Sequence, residues 1–103
     1  MDQRPRNGET PVEQMSDEEL QTYREQAIKF VVEKELAVRW FKQMLAIANE
    51  EKDFRKLGKP RRNVAEWQRL WIEAVKEIAS SHGLTFDYVW TIAEEIQNQG
   101  GPR

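Results

Sequence analysis

The chain has 103 residues, a net charge of −2, one histidine and no cysteine. This length favours one small domain, and the missing thiols exclude disulfides, thiolate metal sites and cysteine catalysis. No apolar run approaches the ~20 residues of a membrane span, and the first residues lack the apolar core of a secretory signal. We therefore expect a cytoplasmic protein with no membrane partner.

The N-terminal residues 1–15 contain Pro5, Gly8, Pro11 and scattered charges, with few side chains to bury. Such a composition is typical of a disordered tail. Helical order is expected to begin at Ser16, because Ser16 and Glu19 have the spacing of a capping box. A single helical domain is then expected over residues 16–99, followed by a flexible C-terminus at 100–103.

The first helix should carry two neighbouring apolar stripes, which together form a face wider than one packed helix covers. Such a helix lies in the middle of a bundle or buries its second face against another chain. Unbroken from Asp17 to Lys56, it would span about 60 Å, more than a compact domain of this size accommodates. The helix should therefore either break or project from the domain, and Asn49, which can cap a new short helix, is the expected place of a break. The first stripe contains Leu20, Tyr23, Ala27, Val31, Val38, Phe41, Leu45 and Ala48, and the second contains Ile28, Val32, Leu36, Trp40, Met44 and Ile47.

Six cations crowd into residues 52–62, a segment called the basic hinge below. Gly58 and Pro60 are placed to end a helix there, so that 57–62 connects two helices. The cations either form a phosphate-binding patch or cap a helix C-terminus and pair with acids of the flanking helices. They would also suit an acidic surface of a protein partner. They are Lys52, Arg55, Lys56, Lys59, Arg61 and Arg62.

Two further helices are expected after the basic hinge. Asn63 and Glu66 form a second start signal, Gly83 ends that helix, Thr85 caps the last one, and Gly100 ends it. No segment alternates between apolar and polar residues as a strand does. The predicted fold class is therefore all-α, a small bundle of three or four helices with a disordered N-terminal tail.

The helical hairpin 74–97 carries Ala79, Gly83, Val89 and Ile92 at a spacing that resembles the helix-turn-helix DNA-binding motif. The resemblance covers this hairpin alone and implies that the last helix reads nucleic acid. That helix has no lysine or arginine, although phosphate attraction supplies much of the affinity for DNA. An ordinary helical hairpin closed by a glycine turn is the alternative interpretation.

Four tryptophans is a high number for a chain of this length. We expect Trp67, Trp71 and Phe41 to fill the core, because small bundles need bulky side chains. Trp40 and Trp90 lie at the margins of their stripes, and an exposed tryptophan at such a position is a typical anchor for a partner.

The inventory of ionisable residues favours no catalysis. No Glu-x-x-His pair exists, and Glu33 and Glu35 cannot face one another on a helix. His82, beside Gly83, is expected to be a solvent-side turn residue, and one histidine makes a poor metal site. We expect no enzyme activity, no metal and no cofactor.

These observations favour a non-enzymatic protein–protein interaction or regulatory module, with an aromatic helix face for the partner and the basic hinge for electrostatic orientation. Nucleic-acid binding through the basic hinge 52–62 and the hairpin 74–97 is the alternative. Self-association through the first helix, giving a homo-oligomer, is compatible with either. The residues expected to contact the partner are Trp40, Trp90, Arg55, Lys59, Arg61 and Arg62.

Overall fold

The computed structural model describes residues 11–101. Within that range it contains a single 3-10 turn, Pro11–Gln14, and three α-helices, with no strand. The predicted all-α fold is therefore confirmed. The helices are α1, Asp17–Leu57; α2, Val64–His82; and α3, Phe86–Asn98.

The two predicted termini fall only partly on described residues. Most of the predicted tail 1–15, and the last two residues of the predicted flexible end 100–103, lie outside them. Pro11–Gln14, inside the predicted tail, forms the 3-10 turn. The chain divides between Phe30 and Val31 into two compact units, and the single domain expected over 16–99 stays a prediction.

In the first unit, the capping box predicted at Ser16 starts α1. The Ser16 amide donates to Glu19 Oε1 at 2.9 Å, and the Glu19 amide donates to Ser16 Oγ at 3.2 Å. These bonds lower the pKa of the Glu19 carboxyl below its ordinary value. The bond with the Ser16 backbone is the larger cause, and the bond with the Ser16 side chain is the second. Leu20 and Tyr23, in the next turns, are exposed.

The break predicted at Asn49 is wrong, because α1 is continuous from Asp17 to Leu57. None of its 41 residues is glycine or proline. Asparagine inside a helix costs only about 0.5 kcal/mol relative to alanine, which is too little to end one. The helix stops where the sequence predicts, at Gly58, whose φ of 68° is left-handed.

The core of the second unit forms where the three helices meet. The side chains of Val32 and Leu36 on α1, Val75 on α2 and Val89 on α3 are all 0% exposed. Around them lie further buried residues, which come from α2 and α3 and bring those two helices together. These residues are Trp71, Ala74, Ile78, Ala79, Ile92, Ala93 and Ile96.

The caps of α2 and α3 agree with the predicted signals. Asn63 and Glu66 exchange two hydrogen bonds of 2.8 and 3.0 Å in a complete capping box. Gly83 closes α2 with a left-handed φ of 65°, and Thr85 caps α3 by accepting from the Tyr88 amide at 3.2 Å. The turn lets Ala79, Val89 and Ile92 pack inside, so the spacing that resembles a helix-turn-helix does close a hairpin.

Two side chains differ from the expectation. Phe41 is 60% exposed, because it lies on the side of α1 opposite Val32 and Leu36, and its assignment to the core was wrong. His82 is half-buried, not a solvent-side residue, since its Nε2 lies 2.8 Å from Oε1 of Glu35 on α1. The end of α2 therefore lies against α1 at this point.

Loss of the α3 cap should weaken the fold measurably. We expect Thr85→Ala to lower the free energy of unfolding by about 1 kcal/mol, because the Tyr88 amide then has no capping acceptor. Thr85→Ser keeps a hydroxyl there and should stay close to the parent chain. Urea denaturation followed by circular dichroism measures both variants, and equal losses for alanine and serine would contradict this account.

Candidate functional site

The loop after α1 folds back onto the last turns of that helix. The Arg62 amide donates to Glu50 Oε1 at 2.9 Å, and its guanidinium bonds the other oxygen of the same carboxylate. The Arg61 guanidinium bonds Glu51, which also accepts from Arg55 Nε at 2.7 Å. Three cations of the basic hinge therefore pair with acids of α1, as one of the three interpretations predicted.

The same two loop arginines lie over aromatic rings. The guanidinium carbon of Arg61 is 4.0 Å from the centre of the Phe54 ring, and that of Arg62 is 5.0 Å from the centre of the Trp67 ring. Each guanidinium thus contacts a carboxylate and a ring of its own chain, which leaves less of it for an external phosphate. The hinge cations that form no ion pair within residues 11–101 are Lys52, Lys56 and Lys59.

The carboxyl group of Glu51 has a lowered pKa. Its hydrogen bond from Arg61 is the largest cause, followed by the bond from Arg55. The carboxylate therefore remains ionised throughout the neutral range. This is the opposite of the raised pKa that a carboxylic general acid needs.

A groove of about 840 Å³ lies between the three helices of the second unit, and this loop lines one part of it. All four tryptophans of the chain line it. Its apolar character comes from these indoles and from aliphatic side chains on α1 and α2, while glutamines and the paired loop residues supply its polar atoms. The lining residues are Trp40, Gln43, Met44, Ile47, Glu50 and Glu51 of α1, Arg61, Arg62 and Asn63 of the loop, Val64, Trp67, Gln68, Trp71 and Ile72 of α2, and Trp90 and Gln97 of α3.

Aromatic contacts hold the groove walls. The Trp40 ring meets the Trp71 ring edge to face, with centroids 5.4 Å apart and planes at 84°. On α3 the rings of Phe86 and Trp90 stack, with centroids 5.4 Å apart and planes at 18°. Gly101 lies against Trp40 so closely that a Cβ on it would sit 3.1 Å from the indole Nε1. These contacts limit how far the indoles can turn.

Two hydrogen-bond donors of the groove have no acceptor within the described residues. They are Nε1 of Trp71, whose residue is only 4% exposed, and Nε2 of Gln97. Their neighbour Gln43 differs, because its Nε2 donates to the Trp67 carbonyl at 3.3 Å. An unpaired buried donor costs about 1–3 kcal/mol, so an acceptor entering the groove would regain that energy.

The residues predicted to contact a partner fall into two sets. Trp40, Trp90, Arg61 and Arg62 line the groove, but Arg55 and Lys59 do not. Trp67 and Trp71, expected in the core, line the groove as well, and so does Gln97, for which the sequence predicts no role. The four-residue spacing of Trp67 and Trp71 was the only signal that both share one side of α2, and no signal in the sequence pointed to Gln97.

Comparison with known proteins gives no match to a family model, a curated protein or a solved structure. Among residues 11–101, no helix combines the length and the apolar composition needed to cross a bilayer. The same residues contain no cluster of three or more histidine or acidic side chains arranged to hold a metal ion. The groove is therefore interpreted from its own geometry.

The lowered pKa of Glu51 predicts a pH dependence. The carboxylate contributes stability that is present above its unfolded pKa and is lost as the pH falls through its lower folded pKa. The difference in unfolding free energy between the parent chain and Glu51→Gln should therefore be constant at neutral pH and shrink in acid. NMR titration of the Glu51 carboxyl carbon should give a midpoint below the ordinary value.

The control for this titration uses two neighbouring cations. Arg61→Gln should bring the Glu51 pKa back toward its ordinary value, whereas Lys59→Gln should leave it unchanged because Lys59 forms no ion pair in the described range. A Glu51 pKa that is insensitive to Arg61→Gln would show that this pair does not form.

The unpaired donors predict opposite effects of one substitution at two glutamines. Gln97→Leu removes a donor that has no acceptor, so we expect the free energy of unfolding to rise by about 1 kcal/mol. Gln43→Leu breaks a hydrogen bond and leaves the Trp67 carbonyl unpaired. This substitution should therefore lower the free energy of unfolding by about 1 kcal/mol. Urea denaturation compares the two, and destabilisation of equal size at both positions would contradict the assignment of the unpaired donor.

Proposed function

We propose that the chain is a non-enzymatic protein-interaction module whose tryptophan groove binds an apolar peptide segment of a protein partner. The observation that carries this proposal is the convergence of all four tryptophans, from all three helices, on one groove with two buried unpaired donors. Tryptophan is the residue most typical of binding hot spots, and a groove of this volume lies in the usual range for bound ligands.

The unpaired donors specify the kind of segment. Nε1 of Trp71 and Nε2 of Gln97 need oxygen acceptors, and the commonest acceptor in a protein is the backbone carbonyl. Carbonyls inside a helix are already bonded, whereas those of an extended segment or of the last helical turn are free. The occupant is therefore an apolar stretch in extended form, or the end of a helix, that brings one or two free carbonyls to these donors.

The charges at the edge of the groove fit such a neutral occupant. Arg61 and Arg62 lie there together with their partners Glu51 and Glu50, so both signs are present and matched. The carboxylates are engaged by arginines, and the lowered pKa of Glu51 suits a structural role more than proton transfer.

Nucleic-acid binding has weaker support. Three of the six hinge cations pair within the chain. The helix that would enter the major groove, α3, carries Asp87, Glu94 and Glu95 and no cation. Such a helix would be repelled by the phosphate backbone. This alternative enters the experiment below as an outcome that overturns the proposal.

The proposal can be tested with random decapeptides displayed on phage and selected against the immobilised full chain. Peptides that bind should be rich in apolar residues, and binding of a synthetic copy should move the indole N–H signal of Trp71 downfield in the ¹⁵N spectrum as it gains an acceptor. Calorimetry should show that Trp90→Ala weakens this peptide at least ~10-fold, a loss of about 1.4 kcal/mol or more.

Tyr88→Ala is the matched control, because Tyr88 is an exposed aromatic residue on the same helix that does not line the groove. It should leave the peptide affinity unchanged. Selection of no peptide, or equal losses for both variants, overturns the groove as the binding site. Salt-sensitive binding of a short DNA duplex that depends on Lys52, Lys56 and Lys59 would favour the nucleic-acid alternative instead.

A further inference from the structure

A second apolar surface lies on the side of α1 that faces away from the core of the second unit. Val38, Phe41 and Leu45 are 52, 60 and 62% exposed, and Val31, further back on the same side, is 40% exposed. Residues three and four positions apart are neighbours on a helix, so Val38, Phe41 and Leu45 are contiguous, while Lys34 lies between them and Val31. Soluble monomers rarely leave such a stripe uncovered.

The spacing of this outer stripe is that of a coiled-coil seam. Six positions follow each other at intervals of three, four, three, four and three residues, which are the a and d positions of a heptad repeat. The seam is about 25 Å long at 1.5 Å per residue. Its members are Val31, Lys34, Val38, Phe41, Leu45 and Ala48.

The order of these intervals is the same from either end of the stripe, so the stripe can pair with an antiparallel copy of itself. We infer that α1 pairs with α1 of a second copy of this chain in an antiparallel coiled coil centred between Val38 and Phe41. Val38 then packs against Phe41 of the second copy, and Val31 packs against Ala48 of the second copy. The contact uses the side of α1 opposite its buried residues, so it does not depend on the function proposed for the groove.

The position of Lys34 selects the antiparallel arrangement. In a parallel pair each Lys34 would lie against Lys34 of the other copy, and like charges in a seam repel. In the antiparallel pair Lys34 lies over Leu45 of the second copy. The methylene stem of Lys34 can cover that leucine.

The charges beside the stripe select the same arrangement. Glu35 and Lys42 are seven residues apart, so both flank the seam on one side at equivalent heptad positions. In the antiparallel pair, Glu35 of each copy lies beside Lys42 of the other. The two-fold symmetry therefore gives this charge pair twice. A parallel pair would place Ala37 of one copy beside Lys42 of the other and form no such charge pair. Glu35 is 45% exposed and uses one oxygen on His82, so its other oxygen is open to this contact.

Sedimentation velocity on the full chain, from about 5 to about 500 μM, tests the pairing. The mass should rise with concentration from 12.2 kDa toward twice that value. Leu45→Lys should prevent the rise by placing a charge against Lys34, and Lys34→Glu in the same chain should restore it. Leu57→Lys is the control, because Leu57 is 66% exposed on α1 but outside the stripe. A mass of 12.2 kDa at every concentration, or dimers unaffected by Leu45→Lys, overturns the inference.

The orientation is tested by cross-linking, for which the lack of native cysteine is an advantage. In the antiparallel pair residue 31 lies beside residue 48 of the other copy, so Val31→Cys with Ala48→Cys in one chain should give a disulfide-linked dimer under mild oxidation. Each single variant should give none, because equal positions are far apart. These two positions of one chain are about 25 Å apart along α1, so they cannot bridge each other. Efficient cross-linking of the single variants instead would overturn the antiparallel arrangement.

Discussion

The groove of the second unit is built where the loop 58–63 returns onto α1. Glu50 and Glu51, nearly two turns before the end of α1, bind the two arginines that precede the Asn63 cap of α2. Exposed ion pairs of this kind add little to stability one by one. Here they hold the loop against α1 at one edge of the groove. The buried residues of the three helices and the contacts of Trp67 and Trp71 with α1 hold α2 in place.

The groove that results combines apolar walls with donors that the chain itself does not satisfy. A folded protein keeps such atoms against an energetic penalty, and sites that bind other molecules are where this penalty is usually found. Gln43 and Gln97 illustrate the contrast, since the first is bonded to a backbone carbonyl of its own chain and the second is not. Gln43 thus helps to join α1 to α2, whereas the side-chain amide nitrogen of Gln97 joins no elements among the described residues.

The features that the sequence predicts correctly are those that neighbouring residues determine. The caps at Ser16, Asn63 and Thr85 and the end at Gly83 each depend on residues within about one helical turn, and all of them form. The expected break at Asn49 failed because helix length was judged from an average compact domain, whereas no local residue stops α1. Phe41 was misplaced because an apolar stripe alone does not say whether the chain or a partner covers it. The groove depends on residues brought together from three helices, so the composition revealed its tryptophans but not their convergence or the unpaired amide of Gln97.

Gly101 connects the end of the described chain to this site. A methyl group on its α-carbon would lie 3.1 Å from the indole Nε1 of Trp40, closer than ordinary contact, and its φ of 135° is one that other residues rarely adopt. Any larger residue would strain its own backbone and press on an aromatic wall about sixty positions earlier in the sequence. Tolerance to substitution should therefore be lower here than at an ordinary surface loop. Position 101 is therefore restricted twice, by the backbone conformation that lets its amide bond the Ile96 carbonyl of α3 at 2.9 Å and by the indole of the groove.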